Sequence, residues 1–334
     1  MQHIYSLIES WVEAKQLPSA VIQVELDGRR IASRSFGEAT LQTRFDIASL
    51  TKVTATLPSI LLLEQANEVS LNDTISSFIP QFPHTNVTLL HCLLHRTGLP
   101  GSLPYPQNRY SKEDIWHEIC SRPLLSQPGD EMRYSDIGMI LVGKVIEVVT
   151  NQSLSTFADQ QIFKPLNMLH TLFTPAEHLH LSIAPTEWDD VTATYLQGHV
   201  HDEVSYRLNG ISGSAGLFST ANDLSRYANM WLSPETNNLL SKATITKSIT
   251  QPIDSRGIGW QVQDGTTTQL ACGSNWPRGS FGHTGFTGTS LWLEPSSKLS
   301  VVFLTNAVHY GRQNHIIELR KILHQEIYNT IKQY

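Results

Sequence analysis

At 334 residues and 37.4 kDa the chain has about two domains' worth of length at the usual ~150 residues per domain, enough for a sizeable core. Hydrophobic residues at 40%, charged residues at 16%, 20 Gly and 16 Pro lie near the globular average and exclude disordered, collagenous and coiled-coil chains. With 24 Lys plus Arg against 30 Asp plus Glu the net charge is −6, which leaves no basic field for a phosphate backbone and excludes nucleic acid as an expected partner. Taking the elements in chain order, Ile4, Leu7, Ile8 and Trp11 recur at three- and four-residue intervals and predict an amphipathic helix. Ile22, Val24 and Leu26 alternate with Gln23 and Glu25, and Asp27-Gly28 supplies a type I′ turn before a return strand around Arg30 to Phe36. Between about 70 and 250 the patterns are mostly helical, separated by PQFPHTN, GLPGSLPYPQN and SQPGDE. SLWLEP and LSVVFLTN then read as strands, followed by a helix with Ile316, Leu319, Leu323, Ile327 and Ile331 on one side.

The expected architecture is therefore α/β of the α+β type. Both chain ends (1–70 plus 251–334) build one antiparallel sheet flanked by helices, a mostly helical domain (71–250) is inserted, and the active site lies in the cleft between them. Cys92, Cys120 and Cys272 are far apart and read as small buried hydrophobes rather than a disulfide framework or zinc site. Among 14 histidines, His199 and His201 stand only two apart and no HExxH occurs, so no metal and no cofactor is expected. Glu9 and Glu13 interrupt any apolar leader, and no run approaches the roughly 18 apolar residues of a spanning helix. The expectation is a cytoplasmic protein without stable membrane insertion, or a periplasmic or extracellular one if a leader has been removed.

The strongest local signal is Ser49-Leu50-Thr51-Lys52, an SxxK tetrad opening the apolar run VTATLPSILLLEQ. On a helix this spacing puts both side chains on one face, so the Lys52 ammonium can reach the Ser49 hydroxyl, while first-turn amides favour negative charge there. By itself the pattern also marks an ordinary solvated helix start. Two further elements accompany it: Tyr134-Ser135-Asp136 before the apolar run IGMILVGKVIEVV, and His283-Thr284-Gly285 before the strand TSLWLEP.

In this order and at these separations the chain resembles the serine β-lactamase and penicillin-binding protein superfamily, in particular its class C-like branch. That branch carries SxxK, then Tyr-x-Asn, then Lys-Thr-Gly on a sheet strand. FDIASLTKVTATL, SLNDTISSFIPQFP, LLHCLLHRTGLPG, PGDEMRYSDIGMILVGKVIE, SGSAGLFSTANDLSRYA and FGHTGFTGTSLWLEP look like blocks of that family, so the resemblance covers nearly the whole chain. It implies Ser49 as the acylated serine, Lys52 as its proton-handling neighbour and Tyr134 as the proton relay that activates water. It further implies an oxyanion hole from the backbone N–H groups of Ser49 and Phe286, with Asp136, His283, Thr284 and Gly285 at the substrate.

Two residues depart from that pattern. His283 replaces the lysine that attracts a substrate carboxylate, and a mostly neutral imidazole is a weaker anchor. Asp136 replaces an asparagine, exchanging a donor for a carboxylate that would favour a charged Lys52. Arg207, Arg278 and Trp276 are candidates for the cleft lining, and Gly213, Gly216 and Gly285 for tight turns or close approach. The expected function is a serine hydrolase acting by an acyl-enzyme on D-Ala-type peptides, β-lactams or small esters. Carboxypeptidase or general hydrolase activity ranks above efficient β-lactamase activity. The alternative is a β-lactam- or muropeptide-binding module that acylates with little turnover; oligomeric state is left open.

Overall fold

A computed structural model describes residues 1–103, 111–236 and 238–332. The Pro-rich connection GLPGSLPYPQN therefore lies partly outside the described residues. The first helix, α1 (Gln2–Glu13), buries Ile4, Ile8 and Trp11. Strands β1 (Ser19–Leu26) and β2 (Arg29–Gly37) follow, joined at Asp27 (φ 47°) and Gly28 (φ 74°), whose two positive φ values are those of the type I′ turn. A π-helical turn at Lys52–Thr56 runs into α2 (Leu57–Gln65). Next come α3 (Asp136–Thr150), capped by the Ser135 hydroxyl accepting from the Gly138 N–H, and α4 (Ala221–Leu232). The chain finishes with β3 (Gln261–Val262), β4 (Phe281–Thr284), β5 (Ser290–Glu294), β6 (Leu299–Thr305) and α5 (Ile316–Ile331).

The six strands form one antiparallel sheet in the order β2-β1-β6-β5-β4-β3, so the two chain ends meet between β1 and β6, with Val24 opposite Val301 and Ile22 opposite Phe303. Period-2 alternation divides each strand between two cores. Ile22, Val24, Val301, Phe303 and Trp292 pack with α1 and α5 on one face. Val21, Val302, Leu304, Leu291 and Leu293 face the other way and join the apolar faces of α2, α3 and α4 in a continuous second core. The helical stretch in the middle of the chain thus packs directly on one sheet face. Short strands escape the sequence pattern: Phe45–Asp46, Leu172–Phe173 and Leu217–Ser219 pair as one small sheet, and Trp188–Asp189 pairs with Thr194–Tyr195. Two or three residues are too few for hydrophobic periodicity to register.

The docking of α5 carries a direct test. Leu323 is fully buried between α5 and the sheet, so Leu323→Ala is expected to cost about 2–5 kcal/mol. The cost should appear as a lower urea midpoint with an unchanged denaturant slope.

Candidate active site

The short strand Phe45–Asp46 hands the chain to Ala48, whose φ of 45° lies in the left-handed region that residues with a Cβ avoid. The turn is held by Asp46: its Oδ1 accepts from the Ala48 N–H (2.8 Å) and its Oδ2 from the His201 N–H (2.7 Å). Burial pushes the Asp46 carboxyl up despite those two donors. Ser49 follows, and the wide π-helical turn after it is pinned at both ends. The Thr51 hydroxyl accepts from the Leu217 N–H (3.1 Å), and the Thr56 hydroxyl donates to the Gly213 carbonyl (2.8 Å). Gly213 has to be glycine, because a Cβ there would stand 2.0 Å from the Met139 carbonyl oxygen.

Lys52 sits beneath Ser49 and is 1% exposed. Its ammonium donates to Ser49 Oγ (2.8 Å) and the Ser214 carbonyl (2.8 Å), and pairs with Asp136 Oδ1 (2.7 Å) at the start of α3. Burial alone would drive the proton off. The Asp136 carboxylate and the nearby Tyr134 phenol outweigh it and hold Lys52 above its ordinary range, so the group is an ammonium at neutral pH.

Tyr134 is enclosed by charged and aromatic groups. The Lys52 Nζ lies 5.1 Å and the Arg256 Cζ 5.4 Å from its ring centroid, with the His95 ring at 4.6 Å and the His283 ring at 6.0 Å. His95 Nδ1 accepts from the Ser135 N–H (3.1 Å), which fixes the backbone just after Tyr134. Burial, with Arg256 and Lys52 nearby, keeps His95 well below the usual imidazole range.

On β4, His283 Nδ1 meets the Thr284 carbonyl at 2.9 Å. A carbonyl only accepts, so the proton sits on Nδ1 and Nε2 carries a lone pair. Burial first, then Arg256 and Lys52, hold the ring well below its ordinary pKa, and Nε2 is buried with no partner among the described residues. Gly285 has to be glycine: a Cβ would stand 2.4 Å from the Ile47 carbonyl and 2.2 Å from Thr289 Oγ1. That close approach brings the Phe286 segment beside the Ser49 turn. Arg320 of α5, its pKa pushed down to about 10 by burial, locks the arrangement by donating to the Gly285 and Thr289 carbonyls (2.9 and 3.0 Å). Neither the Ser49 nor the Phe286 N–H takes a backbone or side-chain acceptor among the described residues.

A cavity of about 440 Å³ opens over these groups, lined by Ser49, Tyr134, Asp136, His283, Thr284, Gly285 and Phe286, and Lys52 adjoins it through its bond to Ser49 Oγ. The structure thus brings the residues of the three motifs and Phe286 to one place. The guesses made by closeness to the third motif fail. Arg278 is exposed away from the cavity beside Gly265, Arg207 lines a different depression, and Trp276 is buried on the far core with its indole N–H on the His324 carbonyl (2.9 Å). The cation the sequence did not reveal is Arg256, 8% exposed, with Nη1 buried and unpartnered and no carboxylate pairing with it among the described residues. It stands in an irregular segment with no periodic signal. His95 lies within the block LLHCLLHRTGLPG but carried no role there.

The sequence profile of the Beta-lactamase family matches residues 5–324. The chain is 30% identical to the N-acetylmuramyl-L-alanine amidase of Bacillus subtilis (strain 168), covering 89% of this chain and 78% of that one. It is 29% identical to a Salmonella typhimurium protein provisionally named a D-alanyl-D-alanine carboxypeptidase, over 81% and 71%. Its fold is also that of the class C beta-lactamase from Rhodobacter sphaeroides, with a TM-score of 0.78, 17% identity and coverage of 99% and 100%.

The Lys52–Asp136 pair predicts a pH-dependent stability. Because the folded-state pKa of Lys52 is raised, the pair stabilises fully below the unfolded lysine value of about 10.4 and the effect fades as pH climbs past it. Asp136→Asn is expected to lose about 1.5–3 kcal/mol at pH 7. The gap to the parent should narrow above about pH 10, as read by urea unfolding at the two pH values.

Proposed function

Because the chain belongs to the Beta-lactamase family, we propose that it is a serine hydrolase in which Ser49 forms an acyl-enzyme on an amide or ester carbonyl. One observation carries the reading: the Lys52 ammonium, paired with Asp136, donates to Ser49 Oγ at 2.8 Å. A lysine so held is a donor and not a base. It fixes the Ser49 oxygen with its own O–H free to point elsewhere, and Tyr134, which lines the same cavity, takes that proton in this reading. Positive charge from Lys52 and Arg256 around the phenol stabilises its oxygen whenever it carries negative charge.

In acylation Ser49 Oγ attacks the carbonyl carbon, its proton passes to the Tyr134 oxygen, which enters the step as the phenolate and leaves it as the phenol, and the N–H groups of Ser49 and Phe286 hold the developing oxyanion. The C–N or C–O bond breaks as Tyr134 returns the proton to the leaving amine or alcohol. In deacylation water takes the leaving group's place, gives its proton to Tyr134 and attacks the ester. The acid departs and Ser49 recovers its hydrogen.

Substrate choice follows from the polar groups around the cavity. His283 presents a lone pair, which a carboxylate avoids, so the carboxylate role of the usual third-motif lysine passes to Arg256. The favoured substrates are amides of peptide character, as the amidase and carboxypeptidase names of the two relatives also support.

Incubation with a penicillin, following intact mass and drug loss, tests the nucleophile. Loss or mass gain that vanishes in Ser49→Ala is the expected result. A stable adduct with little drug loss would favour the slow-turnover binding module, and retained hydrolysis in Ser49→Ala would sink the assignment. For the anchor, Arg256→Gln should raise KM for a carboxylate-bearing peptide roughly 10- to 100-fold, the scale of a charge-assisted hydrogen bond, and leave the carboxamide analogue near its parent value.

A further inference from the structure

The catalytic cavity has a side recess of about 180 Å³, and Asp136, Asp202 and Glu203 line both spaces. Three carboxylates therefore stand where the two meet, and beyond them the recess is walled by Leu103, Ile137, Ile140 and Val204. Those apolar walls fit an aliphatic side chain, and the carboxylates at the mouth fit a cation.

The cations already present do not neutralise this junction. Asp136 commits Oδ1 to Lys52 (2.7 Å), and its Oδ2 takes no bond among the described residues. Arg312 serves Glu203 but also Glu187, so one guanidinium faces two carboxylates. Asp202, the cap of the short helix Glu203–Arg207, accepts from the Ser205 N–H (2.7 Å) and pairs with no cation among the described residues. Burial, and then the charge of Asp136, push its carboxyl up, and a cation beside both carboxylates would relieve that repulsion.

The place of the junction fixes where on the substrate the cation sits. Ser49 Oγ and Asp136 Oδ1 bind one ammonium nitrogen, at 2.8 and 2.7 Å, so the carboxylate is a near neighbour of the attacking atom. On the leaving side of an amide, the atom bonded to the carbonyl is an uncharged nitrogen. The nearest stable ammonium is therefore the α-ammonium of the acyl half. An asparagine at 136 could donate to the carbonyl of an N-acylated substrate, whereas an ionised aspartate only accepts and sets its oxygens against that carbonyl.

Independently, two buried groups lining the same cavity call for a charged, peptide-like ligand. Arg256 Nη1 and His283 Nε2 are both more than nine-tenths buried without a partner among the described residues. The first is a donor that calls for an anion, and the second is an acceptor that calls for an N–H. A short peptide with both ends free supplies a carboxylate, an amide N–H and an ammonium together.

We propose that the junction is an ammonium subsite, so that the acyl half of the substrate is an α-amino acid with a free amine on Asp136, Asp202 and Glu203 and an aliphatic side chain in the recess. The bonds made and broken are those already given. The amide C–N bond breaks, Ser49 Oγ carries the aminoacyl group, the leaving amine takes its proton from Tyr134, and water then releases the free amino acid. This deepens the serine-hydrolase reading and rests on it.

The test compares leucine p-nitroanilide with N-acetyl-leucine p-nitroanilide, each as both enantiomers. Neither carries a carboxylate, so the role of Arg256 does not enter. In the parent protein kcat/KM for the better enantiomer should favour the free amine by about 100-fold, the scale of a charge-assisted hydrogen bond. Asp202→Asn should cut that ratio at least about tenfold, and asparagine keeps the helix cap, so the fold is not at stake. Val204→Phe, which fills the recess, should lower the leucine anilide relative to glycine p-nitroanilide, and an unchanged ratio there overturns the placement of the side chain. A parent ratio near or below one, or a ratio unchanged in Asp202→Asn, overturns the ammonium subsite and leaves the serine chemistry standing. Acylation by penicillin with turnover of no anilide does the same. Anilide turnover that survives Ser49→Ala overturns the serine-hydrolase reading, and the subsite falls with it.

Discussion

Burying an ammonium costs several kcal/mol even after relaxation, and Lys52 keeps its charge because three acceptors meet its three protons. Ser49 Oγ, the Ser214 carbonyl and Asp136 Oδ1 supply one each. They come from separate parts of the chain: the turn after Phe45–Asp46, the segment before Leu217–Ser219, and the start of α3. The ammonium is therefore both the electrostatic centre of the site and the point at which these elements are tied. A lysine with every proton committed to an acceptor has no lone pair with which to take another proton.

That tie sets strict demands on the backbone around it. Ala48 is held left-handed, a strain of about 1–3 kcal/mol, by its hydrogen bond to the buried Asp46 carboxylate, which the His201 N–H fixes in turn. The Phe286 segment approaches closely enough that Gly285 tolerates no Cβ. Its position depends in turn on Arg320, which reaches across from α5. Helix α5 lies on the opposite sheet face from α2, α3 and α4, so the Phe286 side of the site is braced by one core and the Ser49 side by the other.

How much of this could be read from sequence follows the range of each signal. The hairpin at Asp27-Gly28, the two C-terminal strands and the terminal helices are local patterns several residues long, and they stand where the periodicity puts them. Ser49, Lys52, Tyr134 and His283 were legible through motif order. Arg256 was not, because its place over Tyr134 depends on a loop brought in by tertiary packing. Trp276 shows the opposite error: it is a near neighbour of His283 in sequence, yet packs in the core behind the sheet. The role of His283 was half legible. Its neutrality followed from residue type, whereas the direction of its lone pair required the Thr284 contact.

The cavity has two electrostatic characters, and the difference is informative. Around Tyr134 the groups are mismatched among the described residues: Arg256 pairs with no carboxylate, His283 Nε2 meets no donor, and two backbone N–H groups meet no acceptor. Such groups in a low-dielectric site interact most strongly with charge that appears during reaction, and they are already oriented for it. Farther out, Arg312 pairs with both Glu187 and Glu203 beside the exposed Phe286 ring, so two carboxylates face one guanidinium and the wall keeps negative charge. Such groups are fixed by one another before any ligand arrives, and what they offer is a set orientation for whatever enters the cavity.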